Sequence, residues 1–210
     1  MHRIESLEPR QLLSGNVTAW ISGASLHVLG DRADNQLVLA SDPTSRGGMV
    51  LSGNGTTING QGNAFPLTNA VRDVRIYLGD GDDSIEISNV NLSRNLMIFA
   101  NNGADQVVLN TVQVNGNLTI DTAQDNDTVD LVQTTVNGRT TVNTGADTDI
   151  FTADGSTFRR LFLLNVGSGD DQIFTQSVNF FGGKVITPTY GKNRTRARVV
   201  TQHYDFRKGD

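Results

Sequence analysis

A spacing of 22 residues is the feature of this sequence that most constrains its fold. Five aspartates recur at that spacing: Asp83, Asp105, Asp127, Asp149 and Asp171. Two residues before them stand Gly81, Gly103, Asp125, Asp147 and Gly169. A fixed period of this length is typical of solenoids, in which each repeat forms one coil that stacks on its neighbours.

Apolar residues keep the same register around each aspartate. In the first regular coil they are Val74 and Ile76 before the turn, Ile85 and Ile87 after it, and Val90 and Leu92 at the end. A spacing of two indicates strands with one buried face. The sequence therefore predicts an all-β parallel β-helix with three short strands per coil, and right-handed coils are the usual expectation.

Weaker copies extend the pattern to about eight coils. Leu26 and Val28 precede Asn35, Thr56 and Ile58 precede Asn63, and Gly191 precedes Asn193. We predict an extended segment at 1–16, a β-helix at 17–200 and a C-terminal tail at 201–210. Within the β-helix we predict irregular coils at 17–73, regular coils at 74–187 and a last coil at 188–200.

Both ends of the rod need caps, because a solenoid end exposes unpaired strand edges. Val17, Ala19 and Ile21, with Trp20 on the opposite face, are predicted to close the first end. At the other end, Arg194, Arg196 and Arg198 alternate with smaller residues and are predicted to line the outside of the last coil.

The composition excludes several classes of protein. A net charge of −5 gives no general attraction to nucleic acid. The chain has no cysteine, which rules out disulfides and thiolate metal sites. No apolar run approaches the 18 or so residues that a membrane span requires. We therefore predict neither a nucleic-acid partner nor a membrane span.

The aspartate column is the candidate functional site. Stacked about 4.8 Å apart, neighbouring carboxylates would repel by roughly 3 to 4 kcal/mol at an effective dielectric constant of about 20. Three arrangements can offset this repulsion: calcium between coils, turn N–H groups that donate to each carboxylate, or a solvated corner with raised pKa values. In calcium binding, Asp83, Asp105, Asp127, Asp149 and Asp171 are the predicted ligands. Because Asn35, Asn63 and Asn193 share the column, turn bonding can serve all eight coils and calcium at most five.

The corners resemble the haemolysin-type calcium-binding nonapeptide, GGxGxDxUx, in which U is a bulky apolar residue. Gly79, Gly81, Asp83 and Ile85 match its second and third glycines, its aspartate and its apolar position, as do Gly167, Gly169, Asp171 and Ile173. The resemblance implies bound Ca²⁺, but that family repeats every nine residues, and here one such turn occurs per 22. The first glycine is also replaced, by Leu78 or Val166.

The N-terminal segment resembles the LEPR-XLL motif of bacterial exported and surface proteins. Leu7, Glu8, Pro9, Arg10, Leu12 and Leu13 match it over seven residues. The resemblance implies export or placement at the cell surface and implies no activity. Pro9 disfavours helical geometry at the residue before it, so the segment is expected to be extended.

Signals for an enzyme are few. His2, His27 and His203 lie far apart in the repeat, and Arg139, Arg159 and Arg160 have no long loop around them. We therefore predict a non-enzymatic, exported or cell-surface structural or adhesive module, with cell-envelope, polysaccharide or surface-protein partners. The alternative is a carbohydrate-active or carbohydrate-binding β-helix similar to polysaccharide lyases.

Overall fold

Three sheets run along the rod, and they meet at the turns of each coil. The computed structural model describes residues 15–44, 48–62, 64–67 and 71–188, and these residues contain no helix. Within them, accordingly, no helix is long and apolar enough to cross a membrane. The sheets have nine, eight and five strands.

Short strands make up nearly all of the regular structure. The front of the chain contains β1 (Asn16–Ser22), β2 (Ser25–Leu29), β3 (Gln36–Asp42), β4 (Gly48–Gly53), β5 (Thr57–Ile58) and β6 (Ala64–Leu67). The regular coils contain β7 (Asp73–Asp80), β8 (Ser84–Ser88), β9 (Asn91–Leu92), β10 (Leu96–Asn102), β11 (Gln106–Asn110), β12 (Gln113–Val114), β13 (Leu118–Asp121), β14 (Thr128–Val132), β15 (Thr135–Val136), β16 (Thr140–Asn143), β17 (Ile150–Asp154), β18 (Thr157–Phe158), β19 (Phe162–Gly167), β20 (Gln172–Gln176), β21 (Asn179–Phe180) and β22 (Lys184–Pro188).

From β7 onward, parallel strands pair at an offset of 22 residues, which changes to 21 where Gly167 pairs with Pro188. Leu96 lies between Val74 and Leu118, Gln106 pairs with Ser84 and Thr128, and the third sheet keeps the same offset. The predicted parallel β-helix with three strands per coil is confirmed, with about five turns. Inward side chains stack in columns, so that one apolar core runs the length of the rod.

The core changes from aliphatic to aromatic along its length without a change of register. Phe151, Phe158 and Phe162 are among the largest fully buried side chains, and their rings contact one another. Ala153 and Thr140 occupy inward positions where earlier coils carry leucine. The small side chains make room for the rings, which keeps the packing density of the interior.

The front of the chain departs from the predicted coils. β2 and β3 stack in parallel on β7 and β8 with an offset of 48, which confirms the first weak copy around Asn35. β4 runs antiparallel to β3 and β6 antiparallel to β4, so the second weak copy, at Thr56–Leu67, is not a stacked coil. The predicted count of about eight coils is therefore too high. Asn63 lies outside the described residues. So do residues 189–200 of the predicted last coil and the predicted tail at 201–210.

The N-terminal strand covers the first coil as predicted, but the two-residue strand β5 pairs with its other side and forms the edge of the sheet. β1 pairs antiparallel with β2, buries Val17 and Ala19, and leaves Trp20 on the outer face, stacked on His27 with ring centroids 5.0 Å apart. The predicted arginine row at Arg194, Arg196 and Arg198 lies outside the described residues.

The corner between the second and third strands of each coil has left-handed backbone. The residues at this corner are Asn89, Thr111, Gln133, Gly155 and Ser177, with φ between 48° and 60°. Glycine and asparagine tolerate this region, whereas a β-branched residue there is strained. Thr111 is thus the most strained member of the column.

We expect Thr111→Asn to stabilise the protein by about 1 kcal/mol, because asparagine adopts left-handed geometry more readily than threonine. Chemical denaturation measures the free energy of unfolding. The reciprocal change, Gly155→Thr in the same column, should destabilise by a similar amount. Equal stability of both variants and the unaltered chain would contradict a strained corner.

Candidate functional site

The five aspartates of the column lie inside the rod. Each directly precedes the second strand of its coil, in the same alternation as that strand's inward residues: Asp83 is followed at spacing two by Ile85 and Ile87. The five side chains are 0% to 2% exposed. A solvated corner, one of the three alternatives, is therefore wrong for these residues.

A hydrogen-bonded chain links the aspartates along the rod. The backbone N–H of Asp83 donates to Oδ1 of Asp105 over 2.9 Å, and Asp105 donates in turn to Asp127 over 2.9 Å. The same bond joins Asp127 to Asp149 (2.9 Å) and Asp149 to Asp171 (3.0 Å). Each carboxyl group thus accepts a backbone N–H from the coil before its own.

The turn that carries each aspartate has two left-handed positions, four and two residues before it. The first is Gly79, Asn101, Ala123, Gly145 or Gly167, and the second is Gly81, Gly103, Asp125, Asp147 or Gly169. These positions match the second and third glycines of the nonapeptide that the sequence resembles. At Gly103 an added Cβ would lie 2.0 Å from the backbone oxygen of Gly81, so the coils are also too close for a side chain there.

The second oxygen of each carboxyl group has no partner. Oδ2 of all five aspartates is buried without a hydrogen bond among the described residues. Burial raises the pKa of Asp83 to about 7, of Asp105 to about 8, of Asp127 to about 7 and of Asp149 to about 6. Burial also raises the pKa of Asp171. The hydrogen bonds that the carboxyl groups accept act in the opposite direction and are outweighed.

Asn35 heads the column and shows what a neutral side chain does in it. Its N–H donates to Oδ1 of Asp83 over 2.7 Å, as in the aspartate coils. Its Nδ2 donates to the backbone oxygen of Ala33, two residues earlier, over 2.7 Å. A protonated aspartic acid presents an O–H where asparagine presents this amide. The column therefore suits neutral side chains, and only the neutral acid can donate to such a carbonyl group.

Neighbouring charges favour the same protonation state. The charged groups that act on the pKa values of the column are all carboxylates, those of its own members and of Asp31, Asp34, Asp82, Asp125, Asp147 and Asp170. Like charges oppose ionisation. Hydrogen bonding from backbone N–H groups, with donors from the neighbouring coil, is therefore present together with raised pKa values, and calcium between the coils stays a prediction.

No preformed metal site accompanies the column. Within the described ranges, no group of three or more histidine, aspartate or glutamate side chains is placed to hold a metal ion. Calcium binding by Asp83, Asp105, Asp127, Asp149 and Asp171 stays a prediction. If calcium does bind, Oδ2 is the oxygen of each residue that is not already bonded.

The remaining predicted residues do not join the column. His27 lies on the outer face of the nine-stranded sheet, stacked on Trp20. Arg139, Arg159 and Arg160 are exposed, and Arg159 lies over the ring of Phe181 at 5.9 Å from its centroid. His2, His203 and the LEPR-like segment lie outside the described residues.

A second polar ladder, not predicted from the sequence, runs along the rod at the start of the first strands. Oδ1 of Asp73 accepts the N–H of Asn95, Oδ1 of Asn95 accepts that of Asn117, and Oδ1 of Asn117 accepts that of Arg139. Arg94 also approaches Asp73, at 3.7 Å. These residues recur at 22 like the aspartates, and a search for polar residues at that spacing finds them.

Comparisons with known proteins add no assignment. No family model, no curated protein and no solved structure matches the chain.

We expect stability to fall as the pH rises from about 4 to about 8. Asp105 has a pKa of about 8 in the folded protein and 3.8 as the reference value, so over this window the folded state retains a proton that the unfolded state has lost. The contribution of the column to the free energy of unfolding is full below about pH 4, decreases through the window, and changes little above it. Thermal unfolding at a series of pH values measures the slope.

Asp105→Asn combined with Asp127→Asn should flatten this slope and raise stability at pH 8, because the amide stays neutral and can donate as Asn35 does. Glu86→Gln is the control and should leave the slope unchanged, because Glu86 is exposed and is not among the carboxylates that act on the pKa values of the column. A slope that persists in the double variant would show that other groups set the pH dependence.

Calcium binding is tested by thermal unfolding in chelated buffer and in millimolar calcium. Because the aspartates are buried and their raised pKa values favour the neutral acid, which is a poor calcium ligand, we expect no shift in the unfolding temperature, and the variant with Asp105→Asn and Asp127→Asn should be as stable or more so. Stabilisation by calcium that the double variant loses would instead assign the column to the metal.

Proposed function

We propose that the chain is a non-enzymatic structural or adhesive module of an exported or cell-surface protein. The observation that carries the proposal is the absence of inserted loops in the regular coils. Between β7 and β22 the longest connection has six residues, 122–127 and again 144–149. Enzyme sites on folds of this kind need loops or clefts that enclose a substrate, and this stretch provides a smooth rod.

The arrangement of titratable groups agrees with a structural role. The buried aspartates are enclosed, with atoms that solvent does not reach, so they can hold coils together but cannot meet a substrate. The one histidine among the described residues stacks on a tryptophan. General acid–base catalysis requires a titratable group within hydrogen-bond reach of the reacting atoms.

Placement at the cell surface rests on the N-terminal resemblance. Leu7–Leu13 matches the LEPR-XLL motif, with Gln11 at its variable position. A rigid rod of stacked coils presents flat, repetitive faces, which suit lateral contacts with envelope components or other surface proteins. The proposed partners are therefore envelope components, polysaccharides or surface proteins.

A carbohydrate-active β-helix is the second candidate, and one observation favours it. Glu86 and Asp130 point outward from the eight-stranded sheet in the same row, two coils apart. At about 4.8 Å per coil they are separated by roughly 10 Å, near the upper limit for a pair of carboxylates in an inverting glycosidase. A shallow hollow lined by Gln36, Ser84 and Gln106 lies beside Glu86.

Fractionation tests the proposal. The full chain with a C-terminal epitope, produced in the organism that encodes it, should appear at the cell surface or in the medium and be cleaved by protease added to intact cells. Leu12→Ser with Leu13→Ser should retain it inside the cell, and Gln11→Ser, at the variable position, should not. Retention of all three forms inside the cell contradicts surface placement.

A polysaccharide-cleavage assay on the purified protein distinguishes the structural module from the carbohydrate-active β-helix. Incubated with neutral and acidic polysaccharides, the protein should release no new reducing ends. Release that Glu86→Gln or Asp130→Asn abolishes would establish the carbohydrate-active alternative.

A further inference from the structure

The outer face of the nine-stranded sheet has an unusual composition. Eight strands present two outward residues each: Thr18 and Trp20, His27 and Leu29, Arg75 and Tyr77, Met97 and Phe99, Thr119 and Asp121, Thr141 and Asn143, Leu163 and Asn165, and Val185 and Thr187. Aromatic, aliphatic and methionine side chains make up half of this set. Trp20, Leu29, Tyr77 and Val185 are 40% to 51% exposed.

Charge is nearly absent from this face. Of the sixteen outward residues named above, Arg75 and Asp121 are the charged ones, and Asp80, exposed at the end of β7, lies beyond them and pairs with Arg32 at 3.8 Å. The outer face of the eight-stranded sheet is different, since Glu86, Asp130 and Asp154 point outward there and its described strands contain no lysine or arginine. Depletion of charge with enrichment of aromatic residues, methionine and arginine characterises the centre of protein–protein interfaces.

The aromatic rings on this face stack on one another along the rod. Trp20 stacks on His27 and Tyr77 on Phe99, with centroids 5.0 Å apart in both pairs and interplanar angles of 10° and 6°. Since Tyr77 and Phe99 cover each other, little ring face is left for stacking by a sugar. The result is a flat surface of ring edges, which fits another flat surface.

We propose that this face is where two copies of the chain pack against each other. The two charges supply the complementarity. Arg75 lies on β7 and Asp121 on β13, one strand to either side of β10. Consider a two-fold axis that runs over β10, parallel to the strands. It places Arg75 of one copy opposite β13 of the other copy, beside the row of residues that contains Asp121. The symmetry repeats this contact. Met97 and Phe99 then meet at the axis.

The size of the face fits a weak dimer. Eight strands about 4.8 Å apart span roughly 34 Å, and the stretch of about four residues that carries the two outward side chains of each strand spans about 13 Å, which gives on the order of 450 Å². A standard protein interface buries about 800 Å² per partner. Two copies of the eight-stranded face would instead oppose carboxylates without cations between them.

Sedimentation equilibrium of the full chain tests the proposal, with Trp20, the only tryptophan of the chain, as a fluorescence reporter of burial on association. We expect a dimer. Arg75→Asp or Asp121→Arg alone should raise the dissociation constant by at least about tenfold, and the two changes together should restore it to within about threefold. Recovery in the double variant is specific to a pairing between copies.

Glu86→Arg, on the outer face of the eight-stranded sheet, is the matched control and should leave the dissociation constant unchanged. Leu29→Glu gives a second disruption of the face should either charge reversal fail to fold, as judged by far-ultraviolet circular dichroism. If the protein remains a monomer at all concentrations up to about 100 µM, it does not reach even the roughly micromolar association of weak interfaces, and the proposal is overturned. So does a dimer that every change on this face leaves intact, or binding of this face to a polysaccharide or another protein without self-association.

Discussion

Backbone hydrogen bonding between coils 22 residues apart is the interaction on which the rest of this molecule depends. A single coil contributes only one to three inward residues per strand and buries them only where the next coil covers them. This offset, seen where Leu96 lies between Val74 and Leu118, determines which side chains touch. Inside the rod, each residue must therefore suit the residues 22 positions before and after it in the sequence, more than its neighbours along the chain.

Polar groups can enter such an interior only if the next coil provides a partner. The aspartate column does this in one direction, since each backbone N–H points along the rod to a carboxyl oxygen of the following coil. An oxygen acceptor is all that the donor requires, and asparagine and aspartate both provide one. At the N-terminal end the column stops beneath Gly15, where an added Cβ would lie 2.6 Å from Oδ1 of Asn35. The cap is thus a close approach of backbone that a larger residue would prevent.

The period in the sequence predicted the register of the regular coils because a fixed repeat determines which residues become vertical neighbours. The sequence also indicated that the aspartates point inward, because Asp83, Ile85 and Ile87 are spaced by two residues and so lie on the same side of the strand. Because aspartate is seldom fully buried, however, the sequence alone was equally consistent with a solvated corner. The direction of the front strands was not predictable in this way: Phe65 and Leu67 keep a spacing of two, but this spacing is the same in parallel and antiparallel strands. Direction there depends on tertiary pairing with β4.

The outer faces follow a weaker constraint than the interior, and this makes their chemistry informative. Stacking favours like residues in adjacent coils, so that Tyr77 lies on Phe99, and the amide of Asn143 donates to Asp121. Runs of similar residues on a face are therefore expected from stability alone. The same pairing does not explain why the sixteen outward positions of one face include one arginine and one aspartate, while Glu86, Asp130 and Asp154 lie on another face. Stacked carboxylates repel, and nothing in the packing of the coils places them on one sheet and keeps them off the other. Pairing of two copies through the nine-stranded face, as proposed, would account for the difference, because a charge enclosed between the copies needs a partner of opposite sign.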